Sequence, residues 1–171
     1  LPRNEKVVLF AATLVAENEP ATTVAGTLFR TNNVGNAATA GNDEEAVREN
    51  ILKRAKIIAC SGYTNDEEKP DFLDGKTDTK WCDVSQTPNY VDFDLGEAQN
   101  ISGWKMVNAG QESHSYITNG CFLQGKTNPG DEWTTLDAID GNHANVVSRP
   151  LNYDGKVRYI RLLVTRPTQS T

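Results

Sequence analysis

The chain has 171 residues, with 17 basic against 23 acidic side chains and a formal charge of −6. That length suits one domain, or one domain with an appendage, and an acidic surface with scattered basic residues makes nucleic acid and anionic membranes poor partners. No apolar run approaches the roughly 20 residues that cross a bilayer, so membrane insertion is not expected, and a hydrophobic content of 37% argues against disorder.

In chain order, the first strand is predicted over residues 7–15. Its apolar run, from Val7 to Ala16, looks like the core of a signal peptide. Alternating polar segments follow it without a break, so a strand is the better reading. The chain begins with leucine, and any leader is expected to be missing from it. A second strand is predicted over 22–30, followed by a loop rich in Asn, Gly and Ala over 31–42. Next, Asn42 or Asp43 can cap a helix that carries Glu44 and Glu45 in its first turn, where the helix dipole favours them. Ala46, Val47 and Ile51 then share one face, which predicts a short helix over 43–52.

From Ala55 the texture changes to short strands separated by turns. They are predicted over 56–60, 90–94, 101–107, 121–125, 134–139, 146–148 and 157–165. Val91, Phe93 and Leu95 alternate with Tyr90, Asp92 and Asp94, as in a half-buried strand, and Ile160, Leu162 and Val164 form one face of the last. Asp74-Gly75, Leu95-Gly96, Pro129-Gly130 and Asp154-Gly155 supply turns between them. The reading is an all-β fold, an antiparallel jelly-roll sandwich. Residues 1–54 form an N-terminal extension with strands and a short helix, or the tail of a preceding domain, and 55–171 form the sandwich.

Catalytic signals are absent. There are two histidines, His114 and His143, no Gly-x-Ser-x-Gly elbow and no glycine-rich phosphate loop. Carboxylates are plentiful, but nothing singles out a buried pair. Cys60, Cys82 and Cys121 make an odd count without a CxxC spacing, which speaks against zinc. They read as small buried hydrophobes, with one disulfide left open and its pairing unassigned. The oxygen-rich run from Asp71 to Trp81 suits either a tight turn at Asp74-Gly75 or a hard cation such as calcium.

Several motifs then occur in a telling order. They are Leu73-Asp74-Gly75 with Thr79-Lys80-Trp81, Val91-Asp92-Phe93-Asp94-Leu95-Gly96, and Ile101-Ser102-Gly103-Trp104. Phe122-Leu123-Gln124, Glu132-Trp133-Thr134-Thr135 and Arg158-Tyr159-Ile160-Arg161-Leu162 follow. From about Arg54 onward this order resembles the discoidin, or coagulation factor V/VIII type C, domain. It is most similar to the family-32 carbohydrate-binding modules of bacterial glycoside hydrolases.

The resemblance implies a galactose-binding-like jelly roll whose loops at one end grip a terminal sugar of galactose or N-acetylhexosamine type. It implies a non-catalytic module that carries a covalently linked glycoside hydrolase to glycans, secreted, periplasmic or at the bacterial cell surface, and monomeric. Sugar recognition needs planar hydrogen-bonding groups and an aromatic face. Asn108, Glu112 and His114 would supply the former and Tyr116 the latter, with Tyr63, Asn65 and Arg166 on loops that open at the same end. A structural calcium would be held by the carbonyls of Phe72 and Lys76, the carboxylate of Asp74, and Thr79.

The chain departs from the family pattern in four places. Lys76 stands where Asp or Asn is usual, Asn119 where a basic residue is frequent, the closing strand with its glutamate is not seen, and residues 1–54 have no counterpart. Trp81 and Trp104 read as core, and Trp133 is left out of the site. The alternatives are a discoidin-type domain that binds protein or lipid, and a structural spacer without binding.

Overall fold

The computed structural model describes residues 7–16, 50–65, 70, 73, 79–85 and 88–166, with the backbone alone for 7–13 and 15–16. The strand predicted over 22–30, the loop over 31–42 and the helix as far as Glu49 lie outside the described residues. Where that helix was expected to end, Ile51–Arg54 forms a 3-10 turn instead. Asn50 caps it. The Asn50 Oδ1 accepts from the Leu52 amide at 3.1 Å and from the Leu14 amide at 3.2 Å, while Ile51 and Leu52 enter the core.

Among the described residues, eight strands make up the sandwich: β1 (Val7–Ala16), β2 (Lys56–Cys60), β3 (Trp81–Asp83), β4 (Asn89–Asn108), β5 (Gly120–Lys126), β6 (Thr134–Ile139), β7 (Val146–Pro150) and β8 (Lys156–Arg166). Every pairing among them is antiparallel. β4 joins the two predicted strands 90–94 and 101–107 into one. It bends at Gly96, whose φ of +85° favours glycine. Its first half lies between β2 and β8, continuing to β5 and β6; its second half lies between β1 and β7. One strand therefore belongs to both layers.

β1 hydrogen-bonds into the sheet between β3 and β4, from Val7 opposite Asp83 to Ala16 opposite Ile101. It brings Leu14 into the core. The inward faces are those the alternation predicts: Val91, Phe93 and Leu95 meet Ile160, Leu162 and Val164, together with Leu123, Ile101, Met106 and the two buried tryptophans Trp81 and Trp104. Each large side chain so buried contributes about 1.5–3 kcal/mol.

The outward face of the β4–β8 pair is less exposed than its polar residues suggest. Asp92 is only 6% exposed, because Arg161 grips it with two hydrogen bonds of 2.7 and 2.8 Å. The Arg161 guanidinium in turn lies 4.5 Å from the Tyr90 ring and 4.5 Å from the Trp133 ring, and Lys126 sits 4.7 Å from Trp133. Trp133 is thus a lid over this pair, held by cation–π contact. Trp104 Nε1 donates to Asp137 on β6 at 2.8 Å. Arg149 holds the same carboxylate at 2.7 and 2.9 Å, so β4, β6 and β7 are tied across the two layers.

Candidate functional site

Because β4 folds back at Gly96, its two ends come out at one end of the sandwich. Ser61 N donates to Tyr90 O at 2.8 Å, and Leu9 pairs with both Trp81 and Asn108. Gly120 is paired with Arg166 there as well. The segments 61–65, 79–85, 109–119 and 140–145 therefore share this end, which is where the sequence places its candidate sugar residues.

The first of these segments is rigid along its backbone. Trp81 Nε1 donates to Gly62 O at 2.8 Å, and Thr64 N and Oγ1 both reach Cys82 O, at 2.8 and 3.0 Å. Asp83 supports it from below: Ser61 Oγ donates to it, as do Ser85 N at 2.8 Å and Ser85 Oγ at 2.6 Å. Burial pushes the Asp83 carboxyl up, but the hydroxyl and amide donors outweigh it and hold the group below its ordinary range. On this frame Tyr63 is 46% exposed, and Asn65 is exposed close to it in sequence.

The second segment is held by asparagines. Asn108 is fully buried. Its Nδ2 donates to Ala144 O at 3.3 Å and Asn145 O at 3.1 Å, and its Oδ1 accepts from Thr118 N at 3.0 Å. Its amide is spent inside the protein, so the residue brackets the loop instead of facing solvent. Asn145 Oδ1 accepts from Gly110 N at 2.7 Å, and a Cβ at Gly110 would lie 2.6 Å from that oxygen, which keeps this position a glycine. Asn142 closes the fourth segment by donating to Thr118 O at 2.9 Å and to Ala144 O at 3.0 Å.

Above this bracket, Glu112 and His114 are exposed. His114–Tyr116 is a 3-10 turn capped by Ser113. Tyr116 is half-buried, packed with Val107 against Cys82 and Ala109. Of the two candidate aromatics, Tyr63 offers the more open face. Arg166 is exposed, its side chain paired with Asp140 and its carbonyl accepting from Asn119 N at 2.9 Å. Asn119 itself donates to Asn142 O at 3.2 Å. Of the residues assigned to calcium, Phe72, Asp74 and Lys76 lie outside the described residues, and Thr79 is half-buried just before Lys80. Among the described residues, no group of three or more His, Cys, Asp or Glu is placed to hold a metal.

Sequence reasoning missed Lys80, whose Nζ stands 2.7 Å from Glu112 Oε2, and the whole segment 140–145. The pair is 32 residues apart in sequence and leaves no local trace. The segment does carry one, the Asp140-Gly141-Asn142 turn, with Gly141 at a φ of +70°. All three cysteines are free.

A two-layered jelly roll whose loops at one end present aromatic and polar side chains above a buried hydrogen-bonded bracket has the architecture of a binding module of the discoidin type. Residues 56–171 match the family model of the F5/8 type C domain, and the chain belongs to that family. Similar solved structures include the family 32 carbohydrate-binding module of EndoD from Streptococcus pneumoniae, at 24% identity, covering 72% of this chain and 90% of that one, with a TM-score of 0.58. A second is chitosan-binding module 2, in complex with chitotriose, from a chitosanase/glucanase of Paenibacillus sp. IK-5 (20% identity, 71% and 90% covered, TM-score 0.58). A third is CpGH89CBM32-5 from Clostridium perfringens, in complex with GalNAc-beta-1,3-galactose (14% identity, 68% and 87% covered, TM-score 0.55). The search of curated proteins found no match.

Proposed function

We propose that this module binds the terminal sugars of glycans, of galactose or N-acetylhexosamine type, and does no chemistry of its own. The observation that carries the reading is the exposed Tyr63 ring on a hydrogen-bonded frame at the end that also presents Glu112, His114 and Arg166. An aromatic face meets the C–H side of a pyranose, while carboxylate, imidazole and guanidinium groups meet its hydroxyls. The fold is shared with modules solved with chitotriose and with GalNAc-beta-1,3-galactose, which is consistent with this use.

The same proposal includes a covalently linked glycoside hydrolase, a site outside the cytoplasm, a monomeric state and a structural calcium at Phe72, Asp74, Lys76 and Thr79. Tethering would convert weak single-sugar affinity into useful avidity through effective concentration. A glycan array in calcium, repeated in chelator, tests the reading. Selective capture of galactose- or N-acetylhexosamine-terminated glycans supports it, and a blank array with folded protein refutes it. Tyr63→Ala is expected to abolish capture with an unchanged melting temperature, since the ring is largely outside the core.

One observation favours a second reading, a discoidin-type interaction domain for lipid or protein. Val84 and Val146, 51% and 48% exposed, flank the same end, just after β3 and at the start of β7. Binding to liposomes that is lost on Val84→Asp would favour it.

A further inference from the structure

We propose that Lys80 is a positioning residue that sets the charge preference of the site, making it a receptor for uncharged sugars. This rests on the sugar-binding reading above. Lys80 precedes β3, and Glu112 lies on the loop after β4. Lys80 Nζ and Glu112 Oε2 are 2.7 Å apart, with side chains 26% and 42% exposed. Both groups therefore stay within reach of a ligand while facing each other across two segments of the site. A carboxylate alone is an acceptor that draws cations. With an ammonium beside it, the pair presents one donor and one acceptor at zero net charge, which matches adjacent sugar hydroxyls.

The other ion pair at this end, Arg166 with Asp140, is balanced in the same way. These two described pairs carry no net charge, with the Asp83 carboxylate buried beneath them, although the chain as a whole carries −6. An amino sugar, protonated at neutral pH, gains nothing there over its N-acetylated form. Removing Lys80's charge leaves a net negative carboxylate at the site. An exposed ion pair contributes little to folding, so the change falls on recognition.

The experiment is a titration of the full chain and of Lys80→Gln and Lys80→Arg, followed by NMR chemical shifts. The probes are methyl glycosides of galactose, N-acetylgalactosamine and N-acetylglucosamine against those of galactosamine and glucosamine, at low and at high salt. Thermal melts verify that each variant is folded. The wild type is expected to bind a neutral sugar. Lys80→Gln is expected to shift the preference toward the amino sugars by about fivefold, the worth of two unit charges about 4 Å apart in water. Added salt should erase the shift, and Lys80→Arg should restore the wild-type preference. An unchanged ratio in Lys80→Gln, with neutral-sugar binding intact, overturns this inference and leaves the sugar-binding reading standing. A wild type that binds none of the probes sinks the sugar-binding reading and this inference with it.

Discussion

Replacing Asn108 by alanine separates a ligand from a bracket. Its side chain is fully buried, with its amide engaged by two carbonyls and the Thr118 amide. The carbonyls have other donors, since Ala144 O also accepts from Asn142 Nδ2 at 3.0 Å and Asn145 O from Asn108 N at 2.8 Å. Thr118 N, on a fully buried residue, loses its partner. A buried amide left unpaired costs about 1–3 kcal/mol; at about 2 kcal/mol and about 2–4 °C per kcal/mol for a chain of this size, the melting temperature should fall by about 4–8 °C. The assay is differential scanning calorimetry beside a sugar titration on the same variant. Weakened binding must then come together with the lower melting temperature. Lost binding with an unshifted melt would refute the reasoning and make Asn108 a direct sugar ligand, as the sequence alone suggests.

Two further outcomes follow from the buried groups. Burial pushes the Cys121 thiol up to about 12, Cys82 is also buried, and Cys60 is half-buried, its thiol raised by burial and by Asp83. The native protein should therefore release at most one slow equivalent with Ellman's reagent, from Cys60, and all three only in denaturant; two or more native equivalents would contradict the packing. The hydrogen bonds from Arg158 take the Asp94 carboxyl from 3.8 down to about 2. A depressed folded-state pKa gives stability that is present above the unfolded value and lost as pH falls through the folded one. The melting-temperature gap between wild type and Asp94→Asn should thus be widest above about pH 4 and close toward about pH 2, modestly because the pair is solvent-screened; a gap independent of pH across that window would refute it.

Strands whose alternation and flanking turns are local were legible in the sequence. β2 and β6 fall where they were expected, at Lys56–Cys60 and Thr134–Ile139. β3 was not, because Trp81, Cys82 and Asp83 are all buried and so carry no period to read. Gly96 was taken for a turn between two strands, yet a single glycine bends β4 without ending it. For the candidate site, the sequence offered Glu112, His114 and Tyr116 by residue type and Tyr63 and Arg166 through the family resemblance, and the fold brings their segments to one end. What each side chain faces was not legible there. Asn108 is buried by carbonyls 36 and 37 residues away, and Glu112 is engaged by a lysine 32 residues before it. Those pairings depend on the whole topology, which no local window contains.

The shared strand β4 also fixes the order in which the molecule can be finished. Its first half waits for β8, since the Asp92–Arg161 pair spans 69 residues, and the bracket below the site waits for Asn145. As the chain emerges from its N-terminus, β2 and β4 can meet early, but that end of the sandwich stays incomplete until β8 has been made. Contacts of such long sequence separation slow folding. The end that carries the candidate site is therefore among the last described parts of the molecule to take shape, and a nascent chain cannot present it until β8 has paired.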